Sequence, residues 1–133
     1  MSAPPLLDTN ILVYAATDNP KNRAAVQLMA QPFVLSAQAL NEFASVMMRK
    51  FAWPAARCRA SIADFCALAG PVVVLDTAIN SLALELVKRH RLAFYDALML
   101  AAALSAGSTI VYTEDMHDGL VVDGRVTVVN PFA

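Results

Sequence analysis

The chain has 133 residues, 58% of them hydrophobic and only 16% charged, with ten basic against eleven acidic side chains and a formal charge of −1. A composition so apolar and so poor in charge excludes intrinsic disorder, and the length suits one compact domain over residues 1–133. The charge balance offers no bulk attraction for a polyanion, which leaves only local patches for that purpose.

In chain order, Pro4–Asp8 reads as a strand, a short helix starts near Ile11, and Lys21–Ala30 reads as a second helix. Phe33–Leu35 is the next strand. Two helices come after it, Ala37–Phe51 with Ser36 as its N-cap and Ala55–Ala69. Val72–Leu75 is a third strand, Ala78–Arg91 a helix that Thr77 would cap, and Phe94–Ala106 a helix closed by Gly107. Thr109–Tyr112 and Val126–Val129 complete the strands, with Gly119 to Asn130 open to either a hairpin or an edge strand after a loop. Continuous rather than alternating runs such as Val72-Val73-Val74-Leu75 suit strands covered on both faces. Strands separated by helices indicate a mainly parallel sheet in an α/β fold with helices on both faces.

No spanning helix is expected, although the mean hydropathy is +0.52. The apolar run from Phe65 is broken at Gly70-Pro71, and the run after Asp96 stops at Ser105, both short of about 18 residues. MSAPPLLDTN has no basic stretch ahead of an apolar one, so no signal peptide is expected and the expected location is cytoplasmic. Cys58 and Cys66 lie eight positions apart on one helix, roughly 12 Å along its axis and too far for a disulfide. Both read as small core residues. With no CxxC and only His90 and His117, zinc lacks ligands.

In so apolar a chain, each carboxylate in apolar surroundings carries information. Asp8 closes the first strand, at the carboxyl end where open parallel sheets hold ligands, though an N-cap role serves as well. Asp96 opens a helix that is apolar on every side, Ala97-Leu98-Met99-Leu100-Ala101-Ala102-Ala103-Leu104. There an unpaired carboxylate costs several kcal/mol, more than the roughly 1–2 kcal/mol a helix N-terminus returns. It needs a cation, a donor such as an arginine or backbone amide, or a proton. Glu42 sits at the margin of the core stripe Leu40, Phe43, Met47, about 100° round the helix from Phe43. Glu114 and Asp115 come directly after the fourth strand, and spacing does not choose between them. Four carboxylates converging on one rim cannot all ionise uncompensated. A divalent cation resolves the conflict, and all-oxygen ligands favour Mg²⁺ or Mn²⁺. Such a site suits phosphodiester hydrolysis.

Leu7-Asp8-Thr9-Asn10-Ile11-Leu12-Val13-Tyr14, Asn41-Glu42-Phe43, Tyr95-Asp96-Ala97-Leu98-Met99-Leu100-Ala101-Ala102 and Tyr112-Thr113-Glu114-Asp115-Met116 together resemble a PIN domain, and most of all a VapC-type toxin ribonuclease of a type II toxin–antitoxin system. The resemblance implies a three-layer α/β/α, Rossmann-like domain whose five strands run in the order 3-2-1-4-5, as in flap-type nucleases. It implies an acidic quartet, Asp8, Glu42, Asp96 and Asp115, around a scissile RNA phosphate. Asp8, Asp96 and Asp115 would be Mg²⁺ or Mn²⁺ ligands, and Glu42 a ligand or water-orienting group. Thr9, Asn10 and Thr113 would support them by hydrogen bonds, roles that capping and turn formation fit nearly as well. The expected partners are an RNA substrate, a cognate antitoxin protein and a second copy of the chain in a homodimer.

Two alternatives belong to other classes. An aspartyl phosphotransfer domain of the dehalogenase type needs an acid two residues after the nucleophile, where this chain has Asn10. A receiver domain needs an acidic pair near its first strand and a lysine after its last. A PIN-like module that only binds or assembles is opposed by the complete quartet. Of the basic groups, Arg49, Lys50, Arg57 and Arg59 form one and Lys88, Arg89 and Arg91 another. Most read as solvated faces or helix C-terminal charges, with Arg49 and Lys50 the nearest to a phosphate track. Phe51, Trp53, Met47 and Met48 read as core or dimer surface.

Overall fold

The computed structural model describes residues 2–133. Strand β1 (Leu6–Leu7) leads into helices α1 (Thr9–Ala16) and α2 (Asn22–Met29). Strand β2 (Leu35–Ser36) leads into α3 (Ala37–Phe51) and α4 (Ala55–Leu68). Strand β3 (Val72–Val73) precedes α5 (Thr77–His90) and α6 (Phe94–Ala106), and the chain finishes with β4 (Ile110–Tyr112), β5 (Val121–Val122) and β6 (Val126–Val129).

β1 is the central strand because its two residues are apolar and buried on both faces. Leu6 and Leu7 pair in parallel with Val111 and Tyr112 of β4. On the other edge Leu6 faces Val34 in a single parallel bridge, with Leu7 N donating to the Val34 carbonyl at 3.1 Å and Val34 N to that of Pro5 at 2.8 Å. β2 pairs in parallel with β3 and β4 with β6. The described strands thus form a four-stranded sheet, β1-β4-β6-β5, and a parallel pair, β2-β3, joined at the Leu6–Val34 bridge. The expected five-stranded 3-2-1-4-5 order is met only roughly, because there are six strands and β5 pairs antiparallel with β6. The hairpin reading of Gly119 to Asn130 is the correct one. The strands are shorter than the β-branched runs suggest. β3 stops at Val73, and Val74 is 73% exposed because this is the sheet's edge, with no strand beyond it.

The helix ends obey local chemistry. The Ser36 hydroxyl accepts from Ala39 N at 3.3 Å and starts α3. Asp76, not Thr77, caps α5, its carboxylate accepting from Ile79 N at 2.9 Å; a carboxylate at that position also meets the positive end of the helix. α6 closes on Gly107 at φ 79°, left-handed backbone that glycine adopts without strain. α1 packs on α2 and α3, and α3 on α4, while α5 packs on α6, which reaches β3, β4 and β6. α6 is buried from Ala97 to Leu104, with four alanines letting its neighbours approach closely. Phe43, fully buried, packs edge-to-face on Phe65 and Trp53. Both cysteines are free; Cys58 is buried as expected, but Cys66 is exposed, because it faces outward from α4. Among the described residues no helix is long and apolar enough to cross a membrane.

Candidate active site

In a parallel sheet every strand ends on the same edge, so the segments leaving β1, β2 and β4 gather there. Asp8 leaves β1 in extended backbone and caps α1, its Oδ1 accepting from Thr9 N at 2.7 Å. Its Oδ2 accepts from the Thr113 hydroxyl, also at 2.7 Å. Thr113, fully buried after β4, has a hydroxyl oxygen that accepts in turn from Asn10 Nδ2 and from Asp115 N, both at 3.1 Å. Asn10 Nδ2 also reaches Asp115 Oδ2 at 3.1 Å. The side chains of Asn10 and Thr113 thus bond to the acids, whereas Thr9 gives only its backbone amide, as expected of a cap, and its hydroxyl makes no bond to them.

Burial raises the Asp8 pKa to about 6, outweighing the bonds from Thr113 and Thr9, with Glu42 and Asp115 pushing the same way. Burial and then Asp115 raise that of Asp96, and no donor offsets them. The arginine or backbone-amide tether considered for Asp96 is not formed. Asp8 is within electrostatic reach of Glu42 and Asp115, and Asp115 of Asp96, so the four form a chain of like charges.

The neighbouring pair differs in its partners, although both line one depression with Glu42. Asp115 is exposed toward the other acids. Glu114 lines the same depression, but it has its own donors: Lys21 Nζ pairs with it at 2.5 Å and the Tyr14 hydroxyl donates to it. Burial would raise the Glu114 pKa, but these two donors hold it below the ordinary range.

Glu42 is half-buried on the second turn of α3. One turn earlier Gln38, 6% exposed, donates from Nε2 to Glu42 Oε1 at 2.6 Å and to the Tyr95 carbonyl at 3.0 Å. This residue ties the Glu42 helix to the first turn of α6, beside Asp96. It is not among the residues that the sequence motifs single out. The available signal is a glutamine four residues before a candidate acid, the spacing of neighbours on a helix face. A depression of about 360 Å³ is lined by Asn10, Glu42, Asp115 and Lys50, among others, which puts Lys50, out of the first basic group, beside the acids. Arg57 instead stacks on Trp53, 3.9 Å from the ring centre. Arg89 pairs with Asp123 and Glu85. Met47 is core, whereas Met48 and Phe51 are each 46% exposed.

The donor chemistry fits a hard divalent cation. All the acids present oxygen, Thr9 Oγ1 and Asn10 Oδ1 are buried without partners, and the raised carboxylates lack a neighbouring positive charge. Among the described residues no three carboxylate, histidine or cysteine side chains close on one point as a ready-made cage.

The Asp8 shift has a measurable consequence. The folded state holds this proton more tightly than the unfolded chain, so metal-free stability is highest below pH 3.8 as far as Asp8 is concerned and falls as pH rises to about 6. The loss expected is about 3 kcal/mol. Urea titrations in EDTA from pH 4 to pH 7.5 measure it, and Asp8→Asn should remove this component of the slope. An unchanged slope in that variant would contradict the assignment.

Residues 6–117 match the family model described as PIN domain. No curated protein matches. Among solved structures, a toxin-antitoxin complex from Klebsiella pneumoniae contains a chain 25% identical to this one, with a TM-score of 0.72 over 96% of this chain and 97% of that one. VapC20 from Mycobacterium tuberculosis, a sarcin-ricin loop cleaving toxin, is 19% identical with a TM-score of 0.68 over 83% and 90%. VapBC2 from Rickettsia felis, bound to a DNA fragment from their promoter, is 19% identical with a TM-score of 0.59 over 83% and 86%; these last two likenesses speak to the fold alone. Asp8, Glu42, Asp96 and Asp115 all fall inside the matched stretch, and the chain belongs to the PIN domain family.

Proposed function

We propose that this protein is a Mg²⁺- or Mn²⁺-dependent endoribonuclease and the toxin of a toxin–antitoxin pair. One observation carries the reading: Asp8 feels the charges of Glu42 and Asp115, Asp96 feels that of Asp115, and both Asp8 and Asp96 have raised pKa values with no positive charge to offset them. The family match and the likeness to a chain of a toxin-antitoxin complex support it.

Asp8, Asp96 and Asp115 would hold the metal, with Glu42 as a further ligand or the group that orients the attacking water. When bound, the metal lowers the pKa of a water and stabilises the leaving oxygen of the phosphodiester. The chain's own groups do the positioning. Thr113 fixes Asp8 and the Asp115 backbone, Asn10 orients the Asp115 carboxylate, and Gln38 does the same for Glu42. Lys50 offers a charge for a neighbouring phosphate. Met48 and Phe51, exposed on α3, suit a protein contact, either with a second copy in a homodimer or with the antitoxin. The reading puts the protein in the cytoplasm as a single PIN domain.

The test is cleavage of total cellular RNA by the partner-free protein with Mg²⁺, with Mn²⁺ and with EDTA, combined with thermal melts in each. Discrete products that require metal, and a melting temperature raised by metal, are expected. A raised melting temperature with no cleavage would favour the binding module, and neither effect would remove the metal site.

A further inference from the structure

A second cavity, of about 480 Å³, shares Glu42 with the first. Its walls are Leu75 and Leu98 on the apolar side, Asn41 and Ser45 on the polar side, and Tyr95. Tyr95 is 67% exposed although it lies two residues before the buried run Ala97–Leu104 of its helix. Its ring is set edge-on to Phe94, with centroids 5.3 Å apart. Asn41 and Ser45 are one turn apart on α3, hence on the same face, and both are exposed. No lysine or arginine lines this cavity. It therefore offers an aromatic plate, an aliphatic wall, a carboxamide and a hydroxyl, but nothing for a phosphate.

We infer that this cavity is a subsite for one unpaired nucleobase of the RNA, stacked on Tyr95 and met at its edge by Asn41 and Ser45. The inference rests on the nuclease reading and deepens it. Glu42 lines both cavities, so a base held in one sets its own phosphate at the acids of the other. Single-stranded RNA is recognised in this manner, by stacking on aromatic rings and by hydrogen bonds to base edges. Gln38 gives the pocket a fixed floor. Both its partners, the Glu42 carboxylate and the Tyr95 carbonyl, are acceptors, which settles its amide orientation and locks α3 to the Tyr95 turn.

The test uses partner-free protein and a randomised single-stranded 12-nucleotide RNA pool carrying one 4-thiouridine or 6-thioguanosine, irradiated in Ca²⁺. Fragment spectra of the digested adduct locate the cross-link. The adduct is expected on Tyr95, and is lost in Tyr95→Ala. In parallel, Tyr95→Ala should lower kcat/KM for metal-dependent cleavage between about fivefold and a hundredfold, the value of one stacked base, while Tyr95→Phe retains the rate. Ring removal at so exposed a position should leave the melting temperature unchanged. Cross-links elsewhere, or cleavage indifferent to Tyr95→Ala, would overturn the subsite and leave the nuclease standing. An adduct on Tyr95 without cleavage by the wild type would keep the subsite and remove hydrolysis. Absence of both would remove both.

Discussion

Asp96→Asn should lower metal-dependent RNA cleavage by about a thousandfold or more while the metal-free protein melts no lower than wild type. The substitution keeps the volume and removes one negative charge from the rim. A metal contributes several kcal/mol of charge stabilisation in such a reaction, and a thousandfold corresponds to about 4 kcal/mol. The stability half comes from the other side of the same electrostatics. Asp96 is half-buried and pushed upward by burial and by Asp115, so an amide is better accommodated than a carboxylate when no cation is present. Asp8→Asn should lose activity equally but gain less. Its new amide would face the Thr113 hydroxyl, whose oxygen already accepts two bonds and whose proton would lose its acceptor. Single-turnover cleavage and melts in EDTA measure both halves. Wild-type rates for Asp96→Asn in excess Mg²⁺ would sink the site assignment.

Thr113→Val should be costly to fold and function together. Valine matches the shape but removes one donor and one acceptor from a fully buried position. Asp8 would keep only the Thr9 amide, and Asn10 and the Asp115 amide would lose a shared acceptor. Bonds to charged groups are worth about 1.5–3 kcal/mol each, so a loss near 3 kcal/mol is expected from urea unfolding. Groups that orient ligands cost about 10–100-fold in affinity or activity when removed, so metal affinity should fall by that factor. Thr113→Ser should restore both. Unchanged metal affinity in Thr113→Val would show that the threonine serves packing alone.

The helices are the legible part of the chain. α3 and α6 begin and end where Ser36, Gly107 and the apolar spacing put them, because caps and periodicity are local properties. The strands are less so. β-branched runs such as Val72–Leu75 report propensity, whereas the length of β3 depends on a neighbour that the edge of a sheet does not have. Cys66 reads as core by residue type, but only one face of α4 is covered. In the site, the four acids stand out because charge is scarce in this sequence. The different partners of Glu114 and Asp115 are hidden, since those of Glu114 are Lys21 and Tyr14, some hundred positions away. Gln38 is hidden too, because its second partner is the backbone of Tyr95.

β1 lies between strands made at very different times. Its residues leave the ribosome early, yet one edge is closed only by Val111 and Tyr112, and Thr113 meets Asp8 across 105 positions. Contacts of such separation form late, after the loop entropy has been met. A growing chain therefore carries Asp8, Glu42 and even Asp96 without the strand and the threonine that arrange them. Under the nuclease reading, this connectivity would act as a timer in synthesis: chains that end before β4 would lack the Val111–Tyr112 pairing and the Thr113 bond that arrange Asp8.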